Sequence, residues 1–321
     1  MLLKIGIYIE TCHNPYHNLG VEKYLFDNVE KDTVVLYLWQ NKNTVVIGKN
    51  QNPFKECRLD ILENEGGKLA RRLSGGGAVY HDLGNLNFTF ICHKDNYNLE
   101  KQLEVIKTAC AFAGIKTEIS GRNDVLTEGR KFSGNAFYNS GEKAYHHGTI
   151  LIDTNTEKMQ RYLTPSKAKL EAKGVSSVKS RVVNLKELSK DITAEKMEDY
   201  MIKAFESVYD KKAEFLPLVK DEKIENYTKE FSSFEFLYGK TPPYTISFEN
   251  KFSWGNIEIM LDIQKGVIKG VSVFTDAMDN ELPQKIERAL MGVSFSEKEI
   301  EKALSTQENS RDLISLIKDI I

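Results

Sequence analysis

The chain predicts an α/β protein of the α+β kind, with a mixed or antiparallel sheet, helices packed outside it, and a smaller α+β domain at its end. Three observations carry this expectation. Strand-like segments follow one another in turn-linked pairs and do not alternate with helices as a doubly wound sheet requires. The 321 residues exceed one core, since cores tend to split beyond roughly 250–300 residues. Gly239, Pro242 and Pro243 cluster late in the chain, so a linker is expected over 237–243. The expected division is a larger domain over 1–240 and a smaller one over 241–321.

Taken in order, Ile5-Gly6-Ile7-Tyr8-Ile9 reads as the first strand. Leu19, Glu22, Leu25 and Phe26 recur at helical spacing and predict a helix over 18–27. The β-branched runs 33–39 and 44–48 flank Gln40-Asn41-Lys42-Asn43 and predict a hairpin. Strands are expected over 69–73 and 86–91, on either side of three consecutive glycines. A periodic helix over 99–113 ends at Gly114, the usual residue past a helix C-terminus. Short strands over 115–119, 124–126, 131–138 and 145–153 alternate with turn residues, and a helix over 193–209 follows. Strands over 244–248, 252–261 and 267–274, then helices over 282–290 and 296–304, make up the expected small domain.

Between 163 and 181 five cations (Lys167, Lys169, Lys173, Lys179, Arg181) face one acid, Glu171. Gly174, Ser176, Ser177 and Ser180 lie among them, so a basic loop able to close over an anion is expected. Overall charge is nearly balanced, 44 basic against 46 acidic residues, which argues against nucleic-acid binding. Cys12, Cys57, Cys92 and Cys110 show no metal-ligand spacing and read as reduced thiols of a cytoplasmic protein. The N-terminus lacks signal-peptide character, and no run approaches the ~18 apolar residues of a membrane span, so no membrane role is expected.

Chemistry concentrates in Arg71-Arg72-Leu73-Ser74-Gly75-Gly76-Gly77-Ala78-Val79-Tyr80-His81-Asp82-Leu83-Gly84-Asn85. Three residues without side chains let backbone N–H groups converge on one anion, and the two arginines can neutralise it. A phosphate or carboxylate is the natural guest. The order is neither a Walker A loop nor a dinucleotide fingerprint. By itself a glycine triplet reads equally as a tight turn, and weight comes from three later segments. These are Gly121-Arg122-Asn123-Asp124, Gly129-Arg130-Lys131-Phe132-Ser133-Gly134-Asn135-Ala136 and His146-His147-Gly148-Thr149.

Together with Asn18-Leu19-Gly20-Val21-Glu22, with Val45-Val46-Ile47-Gly48-Lys49-Asn50-Gln51-Asn52-Pro53 and with Ala172-Lys173-Gly174-Val175-Ser176-Ser177, these segments resemble the lipoate–protein ligase A family of the biotin/lipoate protein ligase superfamily. The resemblance runs in order through about residue 210, and the tail suits the family's accessory domain. It implies an AMP-forming reaction in two halves. Lipoate and ATP give lipoyl-adenylate and pyrophosphate, with Mg²⁺ as cofactor. The lipoyl group then passes to one lysine of a carrier, either a 2-oxoacid dehydrogenase acyltransferase subunit or glycine-cleavage H protein. Octanoate is a second candidate acid, and the spacing does not rank it against lipoate.

Carried over onto this chain, Lys131 is the essential lysine bridging acyl carboxylate and α-phosphate. The resemblance assigns Arg72, Gly75, Gly76, Gly77, Ala78, Val79, Tyr80, Asn123, Asp124, Lys173, Ser176 and Ser177 to ATP or the adenylate. It assigns Leu19, Trp39, Val46, Arg71, Ser74, His81, Gly134 and His147 to lipoate. Asn123 and Asp124 could hold Mg²⁺, orient the incoming amine, or simply cap a turn. Three rival functions stand beside this one: an ATP-independent octanoyl or lipoyl transferase with a cysteine nucleophile, a biotin ligase, and a non-catalytic module that binds a lipoyl carrier. The first lacks any cysteine after Cys110.

Overall fold

The computed structural model describes residues 3–120, 124–164, 182–238, 246–264 and 266–318. Asn123, Lys173, Ser176 and Ser177, most of the 163–181 basic segment and residues 239–245 therefore lie outside the described residues.

Among the described residues an eight-stranded sheet dominates. Its strands are β1 (Lys4–Ile9), β2 (Thr33–Trp39), β6 (Asn85–His93), β7 (Glu118–Ser120), β8 (Asp124–Thr127), β9 (Arg130–Ser140), β10 (Lys143–Leu151) and β11 (Glu214–Phe215), in the spatial order β11-β1-β2-β6-β10-β9-β8-β7. β1 runs parallel to β2 and β11, and every other pairing is antiparallel. The sheet is mixed, as expected, and not doubly wound.

Period-two alternation sends each strand's side chains to two cores. Val34, Leu36 and Leu38 of β2 join Phe88 and Phe90 of β6 on one face. That face is covered by helices Leu99–Phe112 and Ala194–Tyr209, which supply Val105, Ile106, Met201 and Phe205. Val35, Tyr37 and Trp39 face the other way, toward helix α1 (Pro15–Asn28) and its Leu19, Leu25 and Phe26. Asn14 caps α1 by accepting from Tyr16 N, and Pro15 occupies the first turn where no N–H is needed.

The expected hairpin between 33–39 and 44–48 does not form. β3 (Thr44–Ile47) leaves β2 and pairs instead with β4 (Lys68–Arg71) and β5 (Val79–His81) in a second, three-stranded sheet. The connector is captured before it can turn back. Asn18 Nδ2 donates to Gln40 O (2.8 Å), Lys42 N to His13 O (3.2 Å), and Asn43 takes a positive φ of 45°. Short helices at Pro53–Glu56, Leu59–Asn64, Thr156–Tyr162, Glu222–Ser232, Phe234–Tyr238 and Ser310–Lys318 were not expected from the sequence.

A third sheet, β12 (Ile246–Phe252), β13 (Gly255–Gln264) and β14 (Val267–Thr275), packs on helices Leu282–Leu290, Glu297–Leu304 and Ser310–Lys318 around its own core of Phe248, Ile259, Leu261, Ile286 and Leu304. The expected linker starts too early. Leu237 is buried inside helix Phe234–Tyr238 and is not a free connector.

Candidate active site

Where β3–β5 face the dominant sheet, a cavity of about 110 Å³ opens. Leu19 of α1, Trp39 at the end of β2 and Val46 of β3 make its apolar wall, with Ala78 and Val79. Exposure orders it from end to end. The Lys131 side chain is 33% exposed, whereas Trp39, His81 and Asn87 are 4%, 3% and 1% exposed. The open end is thus cationic, and the closed end carries an indole, an imidazole and a carboxamide.

At the open end Lys131 Nζ lies 2.7 Å from Asp124 Oδ1. The two residues sit on adjacent strands, β9 and β8, whose register shifts between Val125 and Leu126. Room for the lysine comes from Gly134. A Cβ there would stand 2.8 Å from Nζ and 2.9 Å from Cε.

Arg72 organises the glycine loop beside it. Its Nη2 donates to Gly75 O (2.7 Å) and Gly77 O (2.8 Å), its Nη1 to Val46 O (3.1 Å) and its Nε to Ser74 Oγ (3.0 Å). Burial lowers this guanidinium to about 10, so it stays cationic at neutral pH. With the carbonyls drawn onto Arg72, the backbone N–H groups of Gly75, Gly76 and Gly77 meet no acceptor among the described residues. Gly76 has φ of 87°, which only glycine adopts without strain. Such a loop presents donors and one fixed charge to an anion.

The loop is coupled to α1 through buried polar contacts. Ser74 Oγ lies 2.7 Å from His147 Nε2, and His147 Nδ1 donates to Glu22 Oε1 at 2.8 Å. The same carboxylate accepts from Thr89 Oγ1 (2.8 Å), which itself accepts from Trp39 Nε1 (3.2 Å). Behind the cavity the two ring nitrogens of His146 meet the side-chain amides of Asn135 (2.8 Å) and Gln102 (3.1 Å), and burial lowers the ring to about 3.

Of the residues singled out from sequence, Leu19, Trp39, Val46, Arg72, Gly76, Gly77, Ala78, Val79, His81, Lys131, Gly134 and His147 line this one cavity. Arg71 does not reach it. Its guanidinium is spent on the carbonyls of Gly48, Lys49, Gln51, Phe236 and Leu237, which makes it a brace and not an anion ligand. Tyr80 alternates away from Val79 and His81 and packs beside Tyr162, its hydroxyl donating to Asn43 Oδ1 at 3.0 Å. Ser74 and Asp124 stand one contact behind the lining, on His147 and Lys131, and Gly75 packs against the turn at Ala277. Asn87 in the lining was not singled out from sequence, and Asn135, Ala136, Gly148 and Thr149 in the lining and Glu22 behind it stood in the quoted segments without an assigned role. Asn18 and Glu22, polar residues one turn apart and both buried in α1, were the available signal.

Comparison with known proteins gives the family. The lipoyl protein ligase A/B catalytic domain model matches residues 14–206, and the bacterial lipoate protein ligase C-terminus model matches 241–319. The lipoate-protein ligase A of Psychrobacter cryohalolentis is 38% identical over 308 residues, covering 93% of this chain and 91% of that one. Its counterpart from Bdellovibrio bacteriovorus is 36% identical over 322 residues, 98% and 95% of the two chains. The crystal structure of P. falciparum LipL1 in complex with lipoate superposes with a TM-score of 0.85 at 27% identity, over 98% of this chain and 99% of that one. A cavity closed by apolar and neutral polar groups, opening onto a lysine and a glycine loop, is thus found in a chain that belongs to the lipoyl protein ligase A/B family.

Proposed function

We propose that this chain is an ATP-dependent, AMP-forming lipoate–protein ligase and that the cavity holds the acyl tail with its carboxylate at Lys131. The observation that carries this is one cavity lined both by a partly exposed lysine and by Gly76 and Gly77, whose N–H groups meet no acceptor among the described residues. In the first step a carboxylate oxygen attacks the α-phosphorus of ATP, the bond to the β-phosphate oxygen breaks, and pyrophosphate leaves. Lys131 and the loop, with Arg72 behind it, stabilise charge where two anions must meet. In the second step the amine of a carrier lysine attacks the acyl carbon, AMP leaves and the amine loses a proton. The relatives' shared name, lipoate-protein ligase A, and the lipoate bound by the P. falciparum structure support the choice of acid.

Asp124 fits a role of steering the Lys131 ammonium, given their 2.7 Å contact. Mg²⁺ would arrive on the ATP phosphates, neutralising their charge, with at most this carboxylate from the described residues. Such sharing is ordinary for that ion. Carriers are taken to be the acyltransferase subunit of 2-oxoacid dehydrogenases and glycine-cleavage H protein, with octanoate as a second acid and the cytoplasm as the place of action. No helix among the described residues is long and apolar enough to cross a membrane. The separate core of Phe248, Ile259 and Ile286 supports a division into 1–240 and 241–321. Residues 167–181, with Lys173, Ser176 and Ser177, remain the candidate cover for the adenylate.

A cysteine-based transferase is disfavoured by chemistry. None of the four thiols lines the cavity, and burial pushes Cys57, Cys92 and Cys110 up to about 12, far from a usable thiolate. The deciding experiment mixes the protein with lipoate, Mg²⁺ and ATP and follows pyrophosphate. Release is expected, and Lys131→Met should lower it by at least about a thousandfold, some 4 kcal/mol of transition-state stabilisation. Near-normal release from that variant removes Lys131 from the chemistry.

A further inference from the structure

A second and larger cleft, of about 440 Å³, opens between the C-terminal half of α1 and the β1 side of the dominant sheet. It shares no lining residue with the cavity described above. Leu25 of α1 and Val29 just past its end form one wall, Tyr8 of β1 and Val35 of β2 the floor, and Leu216 and Val219, after β11, the other wall. That second wall is tied down, because Leu216 N donates to Ile7 O (2.8 Å) and Val219 N to the Tyr8 hydroxyl (3.0 Å). The cleft is thus built into the fold. Its volume falls within the roughly 300–1,000 Å³ of small-molecule sites, which share apolar and aromatic walls with few polar groups.

At depth the cleft carries a hydrogen-bond donor. Tyr8 is 1% exposed, and its oxygen accepts from Val219 N, while its own hydrogen has no acceptor among the described residues. Burial raises this phenol, so the hydrogen stays in place at neutral pH. An unmet buried donor is costly, and a ligand oxygen that accepts from it offsets that cost. The charged residues of the lining, Lys4, Glu30 and Glu214, are all exposed, and the first two pair at 3.7 Å. A charged ligand would lose its water against an apolar floor with no counter-charge, so the chemistry favours a neutral one.

We infer that this cleft is a second small-molecule site, which takes a neutral apolar compound with a ketone or amide carbonyl directed at the Tyr8 hydroxyl. It is separate from the acid cavity along both shared elements. Leu25 stands about 9 Å along α1 from Leu19, and Val35 about 13 Å along β2 from Trp39. The site stands whether or not the other cavity holds lipoate.

The test uses prodan, a neutral naphthalene ketone whose emission moves to the blue in apolar surroundings and to the red when its carbonyl accepts a hydrogen bond. Titrated into the wild type it should bind saturably, with the same affinity in the presence and absence of lipoate. Tyr8→Phe removes the donor and should weaken binding by about tenfold, with the bound emission moved to the blue. Leu216→Trp and Val219→Trp each fill the cleft from its outer wall and should abolish the saturable phase, with melting curves showing which variant is folded. Because these two variants locate the probe by themselves, the result does not hinge on lipoate binding. Absence of saturable binding in the wild type, displacement of the probe by lipoate, wild-type affinity in a folded tryptophan variant, or unchanged affinity and emission in Tyr8→Phe overturns the inference.

Discussion

Gly134 and Lys131 compete for one volume, which makes the glycine a test of where the ammonium must stand. Its backbone is not left-handed, so only space forbids a side chain. An alanine methyl there meets the far end of a flexible lysine, not backbone, so the fold should tolerate Gly134→Ala while Nζ is driven off its position beside Asp124. Pyrophosphate release should fall about 10- to 100-fold with the melting temperature nearly unchanged, because misplacing a reacting group by about 1 Å has that effect. Normal turnover in this variant would mean that the reactive position of Nζ lies elsewhere. At this scale Lys131, Arg72 and the glycines were legible, because local motifs carry them. Glu22 and Asn87 were not. Glu22 occupies a core-facing position in a helical pattern, and its partners Thr89 and His147 lie 67 and 125 residues away. Asn87 hides in the alternation of a buried strand, where nothing local says that its amide lacks a partner.

The glycine loop is held between two elements distant in sequence. A Cβ on Gly48, just past β3, would lie 2.3 Å from Gly76 O, and one on Gly75 would lie 2.5 Å from Ala277 O. Both obstacles are backbone, so neither can yield cheaply. Gly48→Ala should therefore displace the loop and raise KM for ATP by about tenfold or more, with lipoate affinity changing less. Parallel titrations of the two substrates check this, and equal effects on both would mean that the loop does not serve the nucleotide alone. The same region shows why the expected hairpin was misread. A polar four-residue turn between two β-branched runs is a hairpin by local rules. Here Asn18 and His13 take hold of that turn, and β3 finds its partners in β4 and β5. β3 and β4 were legible as strands from the sequence, but β5 was not expected, and strand partnership depended on contacts that local spacing does not encode.

Across the whole molecule, two fully buried imidazoles tie stability to pH. His81 and His146 are lowered to about 3 in the fold, against about 6.5 in an unfolded chain. Between these values the unfolded chain binds protons that the folded chain refuses. Their contribution is therefore complete above pH 6.5 and is lost as pH falls toward 3. The slope is about 1.4 kcal/mol per pH unit for each ring, or about 4 kcal/mol for the pair at pH 5. Thermal melts at pH 7 and pH 5 should differ by roughly 8–16 °C in consequence. Coincident melts would mean that the rings take up protons in the fold. The mixed sheet and the late small domain were legible as architecture, because hydrophobic patterning and turn clusters report them directly. The separate β3–β5 sheet was not, because it depends on where the 40–43 segment is captured.

The capture of the 40–43 segment by Asn18 has a practical side, because hydrogen bonds run from Cys12 O through Asn18 and Asn41 to His81. Cys12 is partly exposed, whereas Cys57, Cys92 and Cys110 are buried and hard to ionise. Maleimide chemistry on the unaltered chain should therefore attach one dye at one position. That dye would sit three hydrogen bonds from the closed end of the acid cavity. Its emission would follow occupancy of that end in real time, without radiolabel, coupled assay or engineered thiol.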